Sequence, residues 1–554
     1  MDDAPLDQSL ATATPSAQAS RAGGPRVIGH VSTVSGFKLS CILNAGAGAG
    51  LQAYEHLQIG TLVKIPTAST IAFGFIESLA LHAGAATEAA RGSAVAEIEL
   101  LGELVARGTD GLAAFTRGIS VYPTLGAPLF QANTDDLALI YDKPNSWTLA
   151  IGTLHQDPNR TAYLISQELL AKHSAILGTT GSGKSCALVL IVRSLLEAHP
   201  NGHVVLLDPH GEYAPAFPGL CERITPQNLQ LPYWLLSFDE MVEILCSKDP
   251  VSRSREAYIL KDMIVAAKRE ALEQGASDAH LTVDTPVPYP LASLVHKISD
   301  AMGKLDKPDS TLPYLRLLTT IDNLRHDKRY GFLFGSFSVR DNMVEILSRI
   351  LRVPVNGRPI TIFDLSAVPS EIVDVVVSLV CRVIFDFALW SDRDEAIPTL
   401  LVADEAHRYI PGDESLGFEP TRRSIARIAK EGRKYGVSLC LVTQRPSEIS
   451  EPILSQCSTV FALRMSNEKD QNFVRRTLPE SAGGLLNTLP TLRQQEAIVV
   501  GEGVAHPMHI RFNDLDARFR PKGDATNFPK AWENDAKGTE FLRAIVERWR
   551  LQTR

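Results

Sequence analysis

Apolar positions in the first part of the chain come in short runs that are broken by Gly, Pro, Asn and Asp. The clearest runs are Val27–Val34, Lys38–Leu43, Ile59–Ile65, Ile71–Leu81 and Ala94–Leu101. Several short strands at this spacing are typical of a small barrel or sandwich. We therefore predict a β-barrel domain over residues 26–155. Residues 1–25 are rich in Ala, Ser, Asp and Pro, and we expect a disordered tail because they offer little to bury.

From about residue 171 the pattern changes to apolar strands that alternate with helices. The predicted strands are His173–Leu177, His203–Asp208, Pro359–Leu365, Thr399–Asp404, Val437–Thr443 and Thr459–Leu463. The predicted helices are Cys186–Ala198, Ser370–Trp390 and Pro420–Lys434. This alternation predicts an α/β fold in which helices cover both faces of a parallel sheet. We assign this core to residues 156–520.

Helical periodicity interrupts the α/β pattern between about residues 226 and 353, as in Ala257–Leu272 and Met343–Leu351. This segment is interpreted as a helical insertion within the core. Residues 521–554 form a C-terminal region in which a polar linker precedes one predicted helix, Gly538–Leu551.

The composition places the chain among ordinary multidomain globular proteins. Its 554 residues are too many for one core, and 45% of them are hydrophobic. The net charge of -8 gives no global basic field, although a small basic pore would still suffice to meet DNA phosphates. Charge therefore neither supports nor excludes a nucleic-acid partner.

The cysteines and the apolar runs bear on the compartment. The seven cysteines form no CxxC pair, which fits a reducing environment and gives no zinc signature. The most apolar stretch, Ile372–Trp390, is interrupted by Asp374, Arg382 and Asp386, so we read it as a buried helix. The N-terminus has no signal-peptide pattern. We expect a cytoplasmic protein without a membrane span.

The strongest chemical motif is the Gly-rich segment Gly178–Ser185, which matches a phosphate-binding P-loop between a predicted strand and a predicted helix. Glycines allow backbone N–H groups to turn towards a β-phosphate, and the next helix presents its positive end there. Lys184 would reach the β- and γ-phosphate oxygens, and the Ser185 hydroxyl would ligate Mg²⁺. The candidate nucleotide-contacting residues are Gly178, Thr179, Thr180, Gly181, Ser182, Gly183, Lys184, Ser185 and Cys186.

Two carboxylates follow the apolar strand that ends near Ala403. A buried strand does not end in paired acids at low cost unless a cation meets them. Asp404 would hold Mg²⁺, and Glu405 would act as general base on the attacking water. The alternative is a solvated helix start, where acids are also favoured.

Polar residues after two further strands are weaker candidates. His210 or Glu212, in Asp208–Tyr213, would contact the metal shell or a neighbouring subunit, or else belong to a polar capping turn. Gln444 would hydrogen-bond the γ-phosphate or the lytic water, or else lie in an ordinary turn. In the basic stretch Arg422–Lys434, Arg433 is the first candidate and Arg427 the second to reach a neighbour's phosphate; the alternative is a solvated face.

Together these segments resemble the HerA family of the HerA/FtsK ATPase superfamily. The phrases that carry the resemblance are Ile176–Ser185, Asp208–Tyr213, Asp404–Arg408, Gln444–Ile449 and Ile453–Cys457. The similarity runs from about residue 26 to 513 and leaves both tails unmatched. The barrel before the P-loop and the helical insertion also fit this family.

The resemblance implies a RecA-like motor that uses ATP and Mg²⁺ and forms a hexameric ring on double-stranded DNA. It carries catalytic roles onto Lys184, Ser185, Asp404, Glu405 and Gln444, and onto Arg433 as a residue acting on the next subunit. It also implies a nuclease or sirtuin-like effector as partner, in DNA end processing or anti-phage defence. Two alternatives stay open: a motor for protein or conjugative DNA transfer, and an ATP-regulated scaffold that holds and switches an effector.

Overall fold

The computed structural model describes residues 27–44, 57–81, 94–107, 112–144, 146–225, 228, 231–272, 280–305, 308–334, 340–366, 368, 370–478, 483–522, 532–533 and 538–551. The chain divides into two compact units, Met1–Leu139 and Ile140–Arg554. The tail predicted over residues 1–25 lies outside the described residues. In the part of the chain that the structure describes, no helix has the length and apolarity needed to cross a bilayer.

The first unit is a small antiparallel barrel, as the short apolar runs predict. Its strands are β1 Val27–Ser35, β2 Lys38–Leu43, β3 Leu62–Pro66, β4 Ile71–Leu81, β5 Ala94–Arg107, β6 Leu112–Arg117 and β7 Pro128–Gln131. Among these strands the order is β2-β1-β7-β3-β4-β5-β6, and an additional pairing of β2 with β5 closes the ring, leaving β6 outside it. Alternate residues such as Val31, Cys41 and Ile65 point into a buried core. The unit ends in helix α1, Thr134–Ile140.

The second unit is built on one large mixed sheet. Its strands are β8 Thr148–Leu154, β9 Thr161–Ile165, β10 His173–Leu177, β11 His203–Asp208, β12 Cys221–Ile224, β13 Ile360–Asp364, β14 Thr399–Ala403, β15 Val437–Thr443, β16 Cys457–Leu463, β17 Glu496–Gly501 and β18 Met508–Phe512. Their order is β12-β13-β11-β14-β15-β10-β16-β17-β18-β8-β9. The strands from β12 to β16 are parallel, and β10, β13, β14 and β15 are buried at every residue. Burial along the whole strand is expected when both faces of a sheet are covered.

Two predictions need correction in this sheet. It is not wholly parallel, because β16 to β9 pair antiparallel. The barrel domain does not extend to residue 155, because β8 hydrogen-bonds to β18 and so belongs to the second unit. The partners of β8 lie at the far end of the chain, so its local sequence does not distinguish it from another barrel strand.

Helices complete the second unit. They are α2 Ser166–Ala171, α3 Lys184–Ala198, α4 Phe238–Leu245, α5 Pro250–Ala271, α6 Leu291–Met302, α7 Pro308–His326, α8 Gly331–Phe334, α9 Met343–Leu351, α10 Ser370–Trp390, α11 Glu419–Glu431, α12 Glu451–Leu454, α13 Glu468–Thr477, α14 Gly483–Leu486 and α15 Thr539–Leu551. Helix α3 packs on β10, whereas α10 and α11 pack on each other and on β15.

Helices α4 to α9 occupy the segment between β12 and β13 where the insertion is predicted. A buried ion pair ties its first helix to the core: Arg382 of α10 donates to Glu240 of α4 at 3.1 Å, and Ser378 donates to the same carboxylate at 2.7 Å. A buried charge that is paired and hydrogen-bonded in this way fixes the position of α4 on α10.

Candidate active site

The glycine-rich loop lies where β10 leaves the sheet, between the ends of β15 and β16. Gly181 and Gly183 have φ angles of 75° and 103°, which L-amino acids with side chains rarely adopt. Helix α3 begins directly after Gly183, and no side chain among the described residues caps its first turn. Its first backbone N–H groups are therefore available to an anion, as the motif predicts.

Lys184 and Ser185 stand at the start of α3 with their side chains directed to the site. Lys184 is 9% exposed, and its Nζ donates to the Thr179 carbonyl at 3.2 Å. Burial lowers the pKa of Lys184, while the nearby carboxylates of Glu405, Asp404 and Glu212 act in the opposite direction. The Ser185 hydroxyl donates to Glu212 Oε1 at 2.6 Å. The loop thus carries one cation facing several acids.

Asp404 follows β14, the strand next to β11, and is buried. Burial, and after it the charges of Glu405 and Glu212, raise the pKa of Asp404 well above its usual range. Within the described residues no lysine or arginine forms an ion pair with it. The carboxylate therefore has no directly paired countercharge, and the charge of Lys184 acts on it only from beyond ion-pair distance.

Glu405 has a strained backbone and an unsatisfied side chain. Its φ of 49° lies in the left-handed region, which is uncommon for a residue other than glycine and is often found at active sites. Oε2 is buried without a hydrogen-bond partner among the described residues, although His407 Nδ1 lies 3.3 Å from it. His210 Nε2 is 3.9 Å from Oε1. A carboxylate oxygen is thus held in the site with accepting capacity left.

Asp208, at the end of β11, organises the turn that carries Glu212. Its Oδ1 accepts the N–H groups of His210, Gly211 and Glu212 at 2.8 to 3.3 Å, and its Oδ2 accepts that of Tyr213 at 3.0 Å. Burial raises the pKa of Asp208 to about 6, against the effect of these donors. Sequence reasoning assigned no role to Asp208, although an Asp that begins a turn is a known signal for this arrangement.

The ends of β15, β16 and β17 hold the loop from its other side. Thr180 donates to the Gln444 side chain, so Gln444 lies at the loop as predicted. Thr179 donates through its N–H and its hydroxyl to the Arg464 carbonyl, both at 3.0 Å. The turn before β17 approaches as well, because Gln494 Nε2 lies 3.5 Å from the Gly181 carbonyl. Arg464 and Gln494 were not found from the sequence, since their backbone and amide contacts have no motif.

The candidate arginines lie away from this loop. Arg433 is exposed in the turn Gly432–Tyr435, which precedes β15 and so lies at the opposite edge of the sheet. Arg427 stacks on Phe385, with its guanidinium carbon 4.3 Å from the ring centre, and its Nη1 is 3.6 Å from Asp386. The structure therefore brings neither arginine to the phosphate loop of its own chain.

Cys186, the last candidate nucleotide contact, is half-buried in the first turn of α3. Burial raises the pKa of its thiol.

A glycine loop, an uncapped helix start and buried carboxylates at the next strands define a P-loop ATPase, and the chain is an ATP-hydrolysing enzyme. Residues 149–384 match the family described as the central domain of helicase HerA. Over these residues the chain is thus similar to the central domain of HerA helicases. It is 26% identical to a probable helicase of Methanocaldococcus jannaschii over 461 residues, 81% of each chain.

Two further matches are similar in extent. The DNA double-strand break repair helicase HerA of Pyrococcus furiosus is 27% identical over 433 residues, covering 70% of this chain and 72% of the relative. Among solved structures, VirB4 of Thermoanaerobacter pseudethanolicus aligns with a TM-score of 0.47 and 16% identity, over 68% of this chain and 98% of the other.

Proposed function

We propose that this chain is the subunit of a homo-hexameric, ATP-driven translocase that moves on double-stranded DNA. The observation that supports the hydrolytic role best is the acid cluster beside Lys184, formed by the buried Asp404 and Glu405 and the half-buried Glu212. DNA as the track is supported by the relatives, since those of Pyrococcus furiosus and Sulfolobus acidocaldarius are named DNA double-strand break repair helicases.

In this proposal the nucleotide's phosphates bind in the loop. The backbone N–H groups at the end of the loop and the start of α3 would face them, and Lys184 adds a nearly buried positive charge. Ser185 and Asp404 would hold Mg²⁺, because a hydroxyl and a carboxylate are the hard oxygen donors that this ion prefers. Bound there, Mg²⁺ would neutralise charge on the phosphate oxygens. The Ser185 hydroxyl donates to Glu212, so this hydrogen bond would be exchanged when Ser185 turns to the ion.

Glu405 is the proposed general base. Its Oε2 has unused accepting capacity, so it can take the proton of an attacking water. Its charge acts on Lys184 of the loop, so the carboxylate lies near the proposed phosphate site. Gln444 accepts a hydrogen bond from Thr180. Once Thr180 turns to the nucleotide, Gln444 would orient the water or the γ-phosphate.

Arg433 is proposed to complete the site of the neighbouring subunit. The seven residues of β15 separate it from the phosphate edge, about 20 Å at roughly 3.3 Å per residue. No arginine side chain spans that distance, so Arg433 can contact a phosphate only in another copy. This geometry supports a ring in which each site is shared by two chains.

Mixing two inactive variants tests this arrangement. Arg433→Ala chains keep Lys184, and Lys184→Ala chains keep Arg433. In a mixed ring some sites combine Lys184 of one chain with Arg433 of its neighbour, so part of the ATPase activity that each variant lacks alone should return. Arg427→Ala is the control and should retain turnover within a few-fold, because its guanidinium already packs on Phe385. Recovery that fails in mixed rings of verified hexameric mass would contradict a shared site.

The partner and the DNA track are tested together. ATPase activity and displacement of a bound third strand should both increase with linear double-stranded DNA, and not with single strands alone.

We propose a nuclease or sirtuin-like effector as the partner, in DNA end processing or anti-phage defence. If DNA stimulated the ATPase activity equally with and without that effector, a purely scaffolding role would be contradicted. If DNA did not change the ATPase activity, the translocase proposal would be contradicted.

A further inference from the structure

A second group of ligand-type side chains lies on the antiparallel half of the large sheet. His155 directly follows β8, His509 is in β18, and Glu496 is the first residue of β17. Their nitrogen and carboxylate oxygen atoms all lie within 4.8 Å of one another. Nothing in the proposed ATPase mechanism uses these three residues.

The strand register explains why they meet. Leu154 is opposite Ile510, and the N–H of His155 donates to the His509 carbonyl at 2.9 Å, so the two histidines form the next cross-strand pair. Ile498 is opposite His509, which places Glu496 at the diagonal position on the same face. Three adjacent strands therefore hold the side chains on one backbone frame, and no loop rearrangement is needed to bring them together.

The distances fit a small transition-metal ion. Glu496 Oε1 is 3.5 Å from His155 Nδ1, and Glu496 Oε2 is 3.6 Å from His509 Nε2. Donors about 2.0–2.1 Å from a tetrahedral zinc ion are separated by roughly 3.4 Å. His509 Nε2 is buried and has no hydrogen-bond partner among the described residues, which is unfavourable unless something occupies the site.

The donor set suits metal binding as well. Two imidazole nitrogens and one carboxylate are ligands that a zinc-class ion accepts. The two imidazole rings stack with centres 4.0 Å apart, so the half-exposed ring of His155 would turn until both nitrogens face one ion.

We propose that His155, Glu496 and His509 bind a divalent ion of the zinc class, with a fourth position open to solvent beside the half-exposed His155. The ion would brace the turn before β17. Glu496 Oε2 accepts the Arg493 N–H at 2.8 Å, and Gln494 of that turn reaches the Gly181 carbonyl of the phosphate loop. The site therefore lies where it can steady the wall of the nucleotide pocket.

The test uses the full-length, tag-free chain after removal of metals by chelation. Titration with Zn²⁺ against a chromophoric chelator should give about one strong site per chain. His155→Ala should weaken that site at least ~10-fold, and Co²⁺ should give a tetrahedral visible spectrum that the variant lacks. His296→Ala is the matched control, because His296 pairs only with Asp300 on an exposed helix and should change nothing.

Two further readouts separate a metal site from a merely structural histidine pair. Zn²⁺ should raise the melting temperature of the native chain and slow amide exchange in residues 493–496, and neither effect should occur in His155→Ala. The half-exposed His155 is chosen because its loss leaves the sheet intact, which circular dichroism would verify. Equal Zn²⁺ affinity of the native chain and His155→Ala, or no strong site in the native chain, would overturn the proposal.

Discussion

The carboxyl ends of β13 and β14 flank the end of β11, and each carries an aspartate in a different electrostatic environment. Asp364, the last residue of β13, accepts hydrogen bonds from Arg223 Nε at 3.0 Å and from the Ser366 hydroxyl at 2.7 Å. Although burial acts in the other direction, these hydrogen bonds lower the pKa of Asp364. Asp404, after β14, faces Glu405 and Glu212 instead, and its pKa is raised.

The difference separates an acid that stabilises the fold from one that awaits a ligand. Both side chains are buried at the same edge of one sheet, so burial alone does not identify the functional one. Asp364 has its countercharge in Arg223, whereas in the part of the chain that the structure describes Lys184 is the cation that faces the carboxylates of Asp404, Glu405 and Glu212. An imbalance of this kind is relieved by a bound cation, and it marks the β14 end as the catalytic one.

Removal of Lys184 should have the largest effect, because it takes away the positive charge that faces the carboxylates at the β14 end. Lys184→Ala is expected to abolish nucleotide binding or turnover, which fluorescent-nucleotide titration and phosphate release would measure. Lys261→Ala, an exposed lysine on α5, is the control and should behave as the native chain. Native turnover in Lys184→Ala would show that the loop is not the nucleotide site.

Glu405→Gln should separate binding from hydrolysis. The amide keeps the size of the side chain but cannot take a proton, so turnover should fall about 10²–10⁴-fold while nucleotide affinity stays within a few-fold. Glu419→Gln, on the exposed start of α11, should leave both unchanged. If Glu405→Gln hydrolysed ATP at the native rate, the base would have to be another group, and Glu212 would be the next to test.

Asp404→Asn and Asp364→Asn should change stability in opposite directions in the nucleotide-free chain. A folded pKa above the unfolded value means that Asp404 destabilises the folded chain at neutral pH, so Asp404→Asn should unfold at higher denaturant concentration. This advantage should shrink as pH falls through the raised folded pKa and be gone near the unfolded value of about 4. Asp364 has a lowered pKa and stabilises above its unfolded value, so Asp364→Asn should cost about 1 kcal/mol at pH 7 and less in acid.

The measurement is chemical unfolding at pH 7 and pH 4 with ATPase activity in parallel. Asp404→Asn should lose Mg²⁺-dependent turnover, and Asp364→Asn should keep it. Two substitutions with the same sign of stability change would remove the distinction between the two strand ends.

The sequence alone predicted the parallel part of the sheet. It did not show that Asp364 is paired with a cation and that Asp404 is not. The bounds of β10, β11 and β15 agree with the predicted strands, because fully buried strands appear as continuous apolar runs. Asp364 and Asp404 both end such runs. The residue that makes them different is Arg223, the countercharge of Asp364, and it lies 141 residues earlier in the chain. The antiparallel strands were missed for the same reason, since β8 pairs with β18 across most of the chain. The catalytic roles assigned from the motifs stay predictions.

The smallest effect is expected for Ser366→Ala. It is compared with Ser185→Ala, which removes a serine–carboxylate hydrogen bond of nearly equal length. Ser366 donates to Asp364 at 2.7 Å, and Ser185 donates to Glu212 at 2.6 Å. Ser366→Ala removes one of several donors to a paired acid, so unfolding should cost about 0.5–1.5 kcal/mol less and turnover should not change. Ser185→Ala should cost a similar amount of stability, since it also removes one hydrogen bond to a carboxylate, but it should lose Mg²⁺-dependent turnover because the proposed metal ligand is gone. A loss of turnover in Ser366→Ala would mean that the β13 end takes part in the reaction after all.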